Sequence, residues 1–216
     1  MKKNLLICGL ISLKLATAAT AQTVIDSDWP VNQAIPQADP VGITASQTFS
    51  GLLGNPISSV TVDLDITGGY NGTLYAYLVL QNANGNNATE VLLNQIGVTP
   101  TDSLGSSGAG LDVTLSDAGT VNGSIHNAPG IPTGLWLPDS ANTLNGTFGG
   151  LTANGTWTLF ISDLDSGGGT STLQSWGLNV TVVPEPSTNS LMFGMGGLLV
   201  AGLLIRRQRR PSQPRK

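Results

Sequence analysis

The residues of this chain that could do chemistry are mostly carboxylates. The sequence contains 13 acidic and 9 basic residues, but every Lys and Arg lies before residue 15 or after residue 205. All the acids lie between these limits, so that stretch has a charge of about 0 − 13, or −13. A buried carboxylate without a cationic partner must be neutralised, hydrogen-bonded or bound to a metal. Calcium is the natural ion, because it takes several oxygen ligands from carboxylates and carbonyls.

Two pairs of aspartates are candidates for such chemistry. Asp163 and Asp165 precede the run Gly167-Gly168-Gly169, and aspartates two apart in a glycine-rich turn can present oxygens to one ion. Solvated turn aspartates are the alternative. Asp63 and Asp65 share one face of a predicted strand. Glycoside hydrolysis needs two carboxylates facing each other across a cleft, so solvated or metal-binding aspartates are the better interpretation of both pairs.

Nucleophilic catalysis finds little support in this sequence. A hydrolytic triad would need His126, the only histidine, which lies in a loop from Asn122 to Pro129 rich in Gly, Asn and Pro. No serine stands in a nucleophile-elbow pattern. The only cysteine, Cys8, lies near the N-terminus, so the rest of the chain has no thiol catalysis and no cysteine metal site. We therefore predict that the protein is not an enzyme.

The elements that must position these residues are β-strands. Apolar and polar residues alternate in four segments, Val60 to Ile66, Leu74 to Leu80, Trp157 to Ile161 and Trp176 to Val182. This period of two is typical of half-buried strands. Asn-Gly dipeptides such as Asn71-Gly72 mark turns, because Asn and Gly accept positive φ. No stretch in this region has a convincing helical period, so the pattern predicts one all-β domain, a sandwich or jelly roll.

Two segments resemble the P domain, the Homo B module that follows the catalytic domain in kexin- and furin-like proteases. The first runs from Ile57 to Leu74, and the second, from Ala153 to Val180, resembles the closing hairpin with Trp157 and Trp176. Phe160 departs from the family pattern, which often has a basic residue there. The resemblance covers roughly residues 45–183. It implies a jelly-roll β-sandwich of about eight strands that stabilises, binds or targets and does not catalyse.

The same resemblance implies that three loop aspartates lie close together. In a P-like sandwich Asp117, which follows the strand Leu111 to Ser116, would approach Asp163 and Asp165 in the hairpin turn. The sequence therefore predicts a calcium site at Asp117, Asp163 and Asp165. It also predicts that Trp157 is buried and that Trp176 is largely buried.

The C-terminal segment has three parts. Pro184-Glu185-Pro186 cannot continue a β-ladder or a helix and marks an accessible joint. The uncharged apolar run Ser190 to Ile205 follows, short for a membrane span of about 20 residues. The cluster Arg206 to Arg210 would stay on the cytoplasmic side of the membrane and hold the apolar segment there. Together they resemble the PEP-CTERM sorting signal of bacterial surface proteins, which an exosortase reads and removes; a plain membrane anchor is the alternative.

The N-terminal segment has the form of a signal peptide. Met1-Lys2-Lys3 is basic, Leu5 to Leu15 is mostly apolar, and Ala19-Thr20-Ala21 has the A-x-A form of a signal peptidase site. The predicted organisation is a signal peptide (1–21), an extension (22–44), the sandwich domain (45–183), a sorting signal (184–210) with its transmembrane segment (190–205), and a cytoplasmic tail (211–216).

Two functions remain open. The first is an exported non-catalytic surface or matrix protein of a Gram-negative-type bacterium, whose sandwich binds calcium and polysaccharide or another surface protein. The second is an accessory module that docks on a separate secreted serine protease. The lack of Lys and Arg argues against nucleic acid. Signal peptidase and exosortase are the partners expected during export, with membrane contact only through the C-terminal segment before processing.

Exposed aromatic residues would discriminate between the two functions. Tyr70, Tyr75, Tyr77 and Trp136 in one shallow groove would favour sugar binding, whereas a flat apolar patch would favour docking on a protein.

Overall fold

The computed structural model describes residues 21–52, 56–82 and 84–183. This part of the chain is mostly β. Its strands and its one α-helix are β1 (Gln22–Ile35), β2 (Asp39–Phe49), β3 (Ile57–Thr67), β4 (Leu74–Asn82), β5 (Asn87–Asn94), β6 (Gly110–Ser116), β7 (Thr133–Trp136), α1 (Leu144–Phe148), β8 (Gly155–Asp163) and β9 (Ser171–Val182). None of its helices is long and apolar enough to cross a membrane. The predicted transmembrane segment lies outside the described residues.

The strands form two sheets that pack face to face. One sheet has the order β1-β9-β3-β6-β7 and the other the order β2-β8-β4-β5. Without β7, each sheet has four strands, and successive strands β1 to β4 alternate between the sheets, which is the arrangement of an eight-stranded jelly roll. The all-β sandwich predicted from the sequence is therefore confirmed. The short strand β7, which pairs in parallel with β6, is an addition at the edge.

The core lies between the two sheets and is built by the alternating residues. Trp157 and Trp176 are both buried, as predicted, with 0% and 1% of their surface exposed. Trp157 packs against Phe148 of α1 with ring centroids 5.1 Å apart, and Trp176 packs against Trp29 of β1 at 4.9 Å. The two aromatic clusters fill the space between the sheets from opposite sides.

The predicted closing hairpin is wrong, because β8 and β9 lie in different sheets. β8 pairs with β2 and β4, whereas β9 pairs with β1 and β3. The connection between them crosses the end of the sandwich instead of making a tight turn. Trp157 and Trp176 therefore enter the core from different sheets and are not paired across a hairpin.

The segment predicted as an extension, residues 22–44, is part of the sandwich. β1 pairs with β9 from Gln22 opposite Val182 to Ile35 opposite Ser171, and β2 pairs with β8. β1 is an edge strand with register shifts on both sides of its central part, and Pro30 lies next to one of them. A polar edge strand with register shifts shows little alternation of apolar and polar residues. The sequence of β1 therefore does not predict a strand.

Candidate functional site

Asp163 lies at one end of the core, at the last position of β8. Its side chain continues the inward series Trp157, Leu159 and Ile161, and the residue is fully buried. Oδ1 accepts a hydrogen bond from the backbone N–H of Asp165 at 3.3 Å, but Oδ2 has no partner among the described residues. The sequence placed this aspartate in a turn, whereas the structure makes it an inward-facing strand residue.

Three other buried side-chain oxygens without a partner among the described residues lie at the same end: those of Asn71 and Ser171, and Ser162 Oγ on the outer face of β8. None of the three was predicted as a ligand. Asn71 is fully buried just before β4; its Nδ2 donates to the carbonyls of Gly110 (2.8 Å) and Gly130 (3.2 Å), and its Oδ1 is unpartnered. Ser171, the first residue of β9, is also fully buried with an unpartnered Oγ. A neutral amide and a hydroxyl carry no sequence signal for a site, and only strand register brings them near Asp163.

Asp165 lies in the connection between β8 and β9. Its side chain is exposed, and its Oδ1 accepts a hydrogen bond from the backbone N–H of Gly167 at 2.9 Å. The backbone carbonyl of Asp165 accepts from the N–H of Ala38, which attaches this turn to the β1–β2 connection. The Asp163 carboxylate is therefore buried, whereas the Asp165 carboxylate is exposed.

Asp117 lies at the opposite end of the sandwich. Ser116 pairs with Thr61 near the start of β3, whereas Thr67 at the end of β3 pairs with Thr172, next to Ser171. β6 spans about 20 Å between these two ends at roughly 3.3 Å per residue. The Asp117 carboxylate accepts hydrogen bonds from the first backbone N–H groups of α1, at 2.9 and 2.8 Å. Its role is to hold the start of that helix.

The three aspartates of the predicted calcium site therefore do not meet. In the part of the chain that the structure describes, no three His, Cys, Asp or Glu side chains converge on a point that could hold a metal ion. Calcium binding at Asp163 stays a prediction, but Asp117 cannot share that ion.

Five other aspartates lie together on the outer face of the five-stranded sheet, which we call the acidic face. They are Asp26 and Asp28 on β1, Asp63 and Asp65 on β3, and Asp112 on β6. Gly177 of β9 separates Asp28 from Asp63, and a Cβ on this glycine would lie 1.7 Å from Asp28 Oδ1. The Asp28 carboxylate therefore lies directly over the glycine.

The crowding of charge on the acidic face is visible at Asp63. Burial raises the pKa of the Asp63 carboxyl above its ordinary value of 3.8, and a hydrogen bond donated by the Thr114 hydroxyl opposes this rise. The charges of Asp28, Asp26 and Asp112 raise the pKa further. Asn179 donates to Asp26 at 3.0 Å, but no cationic side chain reaches any of the five aspartates within the described ranges.

His126 is held by acceptors at both ring nitrogens. Nδ1 lies 2.8 Å from Asp139 Oδ2, and Nε2 lies 3.1 Å from the carbonyl oxygen of Val98. A neutral imidazole has one N–H, so only the imidazolium can donate to both acceptors. The contact His126–Asp139 is the one close approach of a basic to an acidic side chain found among residues 21–52, 56–82 and 84–183, and it is an ion pair only when the imidazole is protonated.

A polar cavity of about 370 Å³ opens beside His126, between the loops at residues 97–108 and 126–130. Ser106 lines this cavity, but its Oγ is within hydrogen-bond distance of the Gly130 carbonyl at 3.4 Å, not of the histidine. Among the described residues, the hydrogen-bond partners of the His126 ring are Asp139 and the Val98 carbonyl, and no hydroxyl is one of them.

The four candidate aromatic residues do not form one groove, and only Tyr70 is exposed, whereas Tyr75, Tyr77 and Trp136 are half-buried. Tyr75 and Tyr77 lie on the outer face of the four-stranded sheet with Phe160, and the rings of Tyr77 and Phe160 are stacked at 4.5 Å. We call this surface the aromatic face. Trp136 lies on β7 in the other sheet, and the Tyr70 ring packs over Gly168 in the β8–β9 connection. Because Tyr77 and Phe160 cover each other, neither ring offers both of its faces to a ligand.

Of the predicted processing residues, only Ala21 falls within the described part of the chain, where it is exposed. Ala19, Pro184, Glu185 and Pro186 lie outside it.

Residues 182–210 match the family model of the PEP-CTERM protein-sorting motif. The motif confirms the resemblance seen in the C-terminal segment. It identifies the chain as an exported protein of the cell envelope or surface of a Gram-negative bacterium, sorted by an exosortase.

Three solved structures resemble the described fold at low identity. They are the serine protease of Aeromonas sobria in complex with its chaperone ORF2 (TM-score 0.47, 15% identity, 77% of this chain and 28% of that chain), the same protease alone (0.45, 17%, 76% and 27%) and the VP2 subviral particle of infectious bursal disease virus (0.33, 16%, 83% and 38%). This chain thus spans well under half the length of each. No curated protein matches the sequence.

Proposed function

We propose that the β-sandwich is a non-catalytic binding module of an exported surface or matrix protein, and that its acidic face binds a positively charged partner. The observation that supports this is the arrangement of Asp26, Asp28, Asp63, Asp65 and Asp112 on one sheet face. A face of one sign attracts a partner of the opposite sign and accelerates its encounter. A basic surface protein is such a partner, whereas an acidic polysaccharide would be repelled unless a cation bridged the two.

The geometry around His126 supports a non-catalytic role. Its two ring nitrogens are occupied by Asp139 and by the Val98 carbonyl, so neither is oriented toward a nucleophile. A general base must reach the proton that it removes.

A salt-dependent binding assay tests the proposal. The exported protein is titrated with a lysine-rich peptide at 50 and 500 mM NaCl. The variant Asp65→Asn/Asp112→Asn removes two charges from the acidic face, and the control Asp102→Asn/Asp165→Asn removes two charges elsewhere. We expect weaker binding only in the first variant, and weaker binding of the parent at high salt. Equal loss in both variants would show that net charge, not the acidic face, attracts the peptide.

The aromatic face supports a second candidate function, docking on another protein as a P-like accessory module. Tyr75, Tyr77 and Phe160 form a half-buried aromatic patch on β4 and β8. Aromatic residues are enriched in protein interfaces. Binding that survives 500 mM NaCl and is lost in Phe160→Ser, but not in Asp65→Asn/Asp112→Asn, would favour this candidate over the acidic face.

A further inference from the structure

The buried end of β8 carries a carboxylate whose charge no cationic side chain of the described residues compensates. Asp163 has no exposed surface, and only one of its carboxylate oxygens is hydrogen-bonded. The one basic side chain between residues 15 and 205, His126, is engaged with Asp139. A buried carboxylate is retained when a proton, a hydrogen-bonding network or a metal ion compensates it.

Two unpartnered oxygens, of Asn71 and Ser171, lie at this end of the core with Asp163 Oδ2, while the unpartnered Ser162 Oγ lies on the other face of β8. Asp163 is directly opposite Leu74 in the β4–β8 pairing, and the N–H of Leu164 donates to the carbonyl of Thr73 at 2.9 Å. The segment from Gly68 to Leu74 therefore covers Asp163. Asn71 Oδ1 belongs to that segment.

Ser171 reaches the same segment from the other sheet. A Cβ on Gly69 would lie 1.8 Å from Ser171 Oγ, and a Cβ on Gly68 would lie 2.6 Å from the carbonyl oxygen of Thr170. Both glycines have positive φ, 74° and 63° for Gly68 and Gly69. These glycines allow the covering segment to lie directly on the start of β9, so amide, carboxylate and hydroxyl oxygens are gathered at one end of the core.

We propose that this end of the sandwich binds one calcium ion through Asp163 Oδ2, Asn71 Oδ1 and Ser171 Oγ. Carboxylate, amide and hydroxyl oxygens are hard ligands that calcium accepts, and backbone carbonyls and water complete its shell of 6–8 oxygens. This ligand set differs from the predicted trio, because it lacks Asp117 and contains two neutral residues. It does not rest on the partner of the acidic face.

The site links the two sheets. Asp163 belongs to the four-stranded sheet and Ser171 to the five-stranded sheet, while Asn71 bonds to Gly110 beside β3. An ion held by all three stabilises the folded state, because the unfolded chain does not assemble these oxygens. A single carboxylate supplies the charge, so we expect the weak affinity of extracellular calcium modules, with Kd of about 10⁻⁴–10⁻³ M.

Thermal unfolding of the exported protein tests the proposal. We expect 10 mM CaCl2 to raise Tm by roughly 3–10 °C over EDTA, with no comparable rise in NaCl of matched ionic strength. Isothermal titration with calcium should give one ion per chain. Equal shifts in calcium and sodium would show screening of surface charge only and would overturn the site.

Variants separate the ion from a proton or a water molecule. Asp163→Asn should abolish the calcium shift, and in EDTA it should be at least as stable as the parent, because it removes a buried charge. Ser171→Ala removes one ligand with little change in volume and should weaken calcium binding about tenfold. The matched control Asp102→Asn removes one exposed charge away from both proposed sites and should keep the full shift.

A full calcium shift retained in Asp163→Asn would contradict the proposal. If that variant does not fold, an unchanged calcium affinity in Ser171→Ala would contradict it instead. Calcium binding is measured without any peptide. A failure of the calcium proposal therefore leaves the acidic-face proposal intact, and a failure of the acidic-face proposal leaves the calcium proposal intact.

Discussion

Truncation of Trp157 should be among the most damaging single changes to this sandwich. The side chain is fully buried, its ring packs on Phe148 at 5.1 Å, and its Nε1 donates to the carbonyl of Ala153 at 3.1 Å. Replacing a buried aromatic residue by alanine costs about 3–5 kcal/mol, because apolar contact is lost and a cavity remains. For a domain of this size each kcal/mol lowers Tm by about 2–4 °C, so Trp157→Ala should lower Tm by roughly 6–20 °C.

A pair of phenylalanine variants compares the loss of an indole N–H and ring edge at the fully buried Trp157 with the same loss at the half-buried Trp136. Trp157→Phe and Trp136→Phe remove the same atoms, and each loses an Nε1 bond to a backbone carbonyl, of Ala153 at 3.1 Å and of Thr133 at 2.9 Å. Ala153 is buried, so its carbonyl is left without a partner at a cost of about 1–3 kcal/mol. Thr133 is exposed, and water can replace the lost donor.

The assay is urea unfolding followed by far-ultraviolet circular dichroism, since removal of a tryptophan alters the fluorescence signal. We expect the midpoint to fall for Trp157→Phe and to change little for Trp136→Phe. An unchanged unfolding curve for Trp157→Ala would refute the strand phase of β8 and the core described above. Equal effects of the two phenylalanine variants would refute the role given to the buried carbonyl.

Two further predictions concern the acidic face and the export signals. The pKa of Asp63 is raised in the folded protein, so the folded state holds this proton more tightly than the unfolded chain, and the Asp63 contribution to stability rises as pH falls from 7 toward 3.8. Asp63→Asn should therefore raise Tm at pH 7 and flatten this part of the pH profile. A lower Tm for Asp63→Asn would contradict this. Mass spectrometry of the surface protein should show the loss of residues 1–21 and of the tail beyond about Ser187, and a retained cluster Arg206 to Arg210 would mean a plain anchor.

Central strands such as β3 and β9 could be predicted, because a strand with one buried face alternates apolar and polar residues in the sequence. Val60 to Ile66 in β3 and Trp176 to Val182 in β9 alternate as strands with one face in the core do, and the structure buries their apolar residues. The pattern gives the phase of a strand but not its neighbour. The glycine-rich connection between β8 and β9 looked like a hairpin turn, whereas a jelly roll sends consecutive strands to opposite sheets there.

The candidate calcium ligands were only partly predictable. The charge of Asp163 marks it as a candidate ligand in the sequence, and the structure buries this residue. Asn71 has only the sequence signal of a turn residue and Ser171 has none, because neutral polar residues are common in loops and strand ends. What distinguishes them is that their oxygens are buried and unpartnered, and this depends on the approach of Gly69 to Ser171. Such an approach between distant parts of the chain has no local signature.

The pairing of the first strand with the last has a consequence for the order of events during export. Among the strands of residues 21–183 that the structure describes, β1 pairs with β9 alone, with Gln22 opposite Val182. A chain that crosses a membrane from its N-terminus must therefore wait, with β1 unpaired, until nearly the whole domain has emerged. Contacts between such distant segments form slowly, because the intervening loop must first be closed. The five-stranded sheet can therefore be completed only after β9 has crossed the membrane. β9 ends at Val182, where the sorting motif begins.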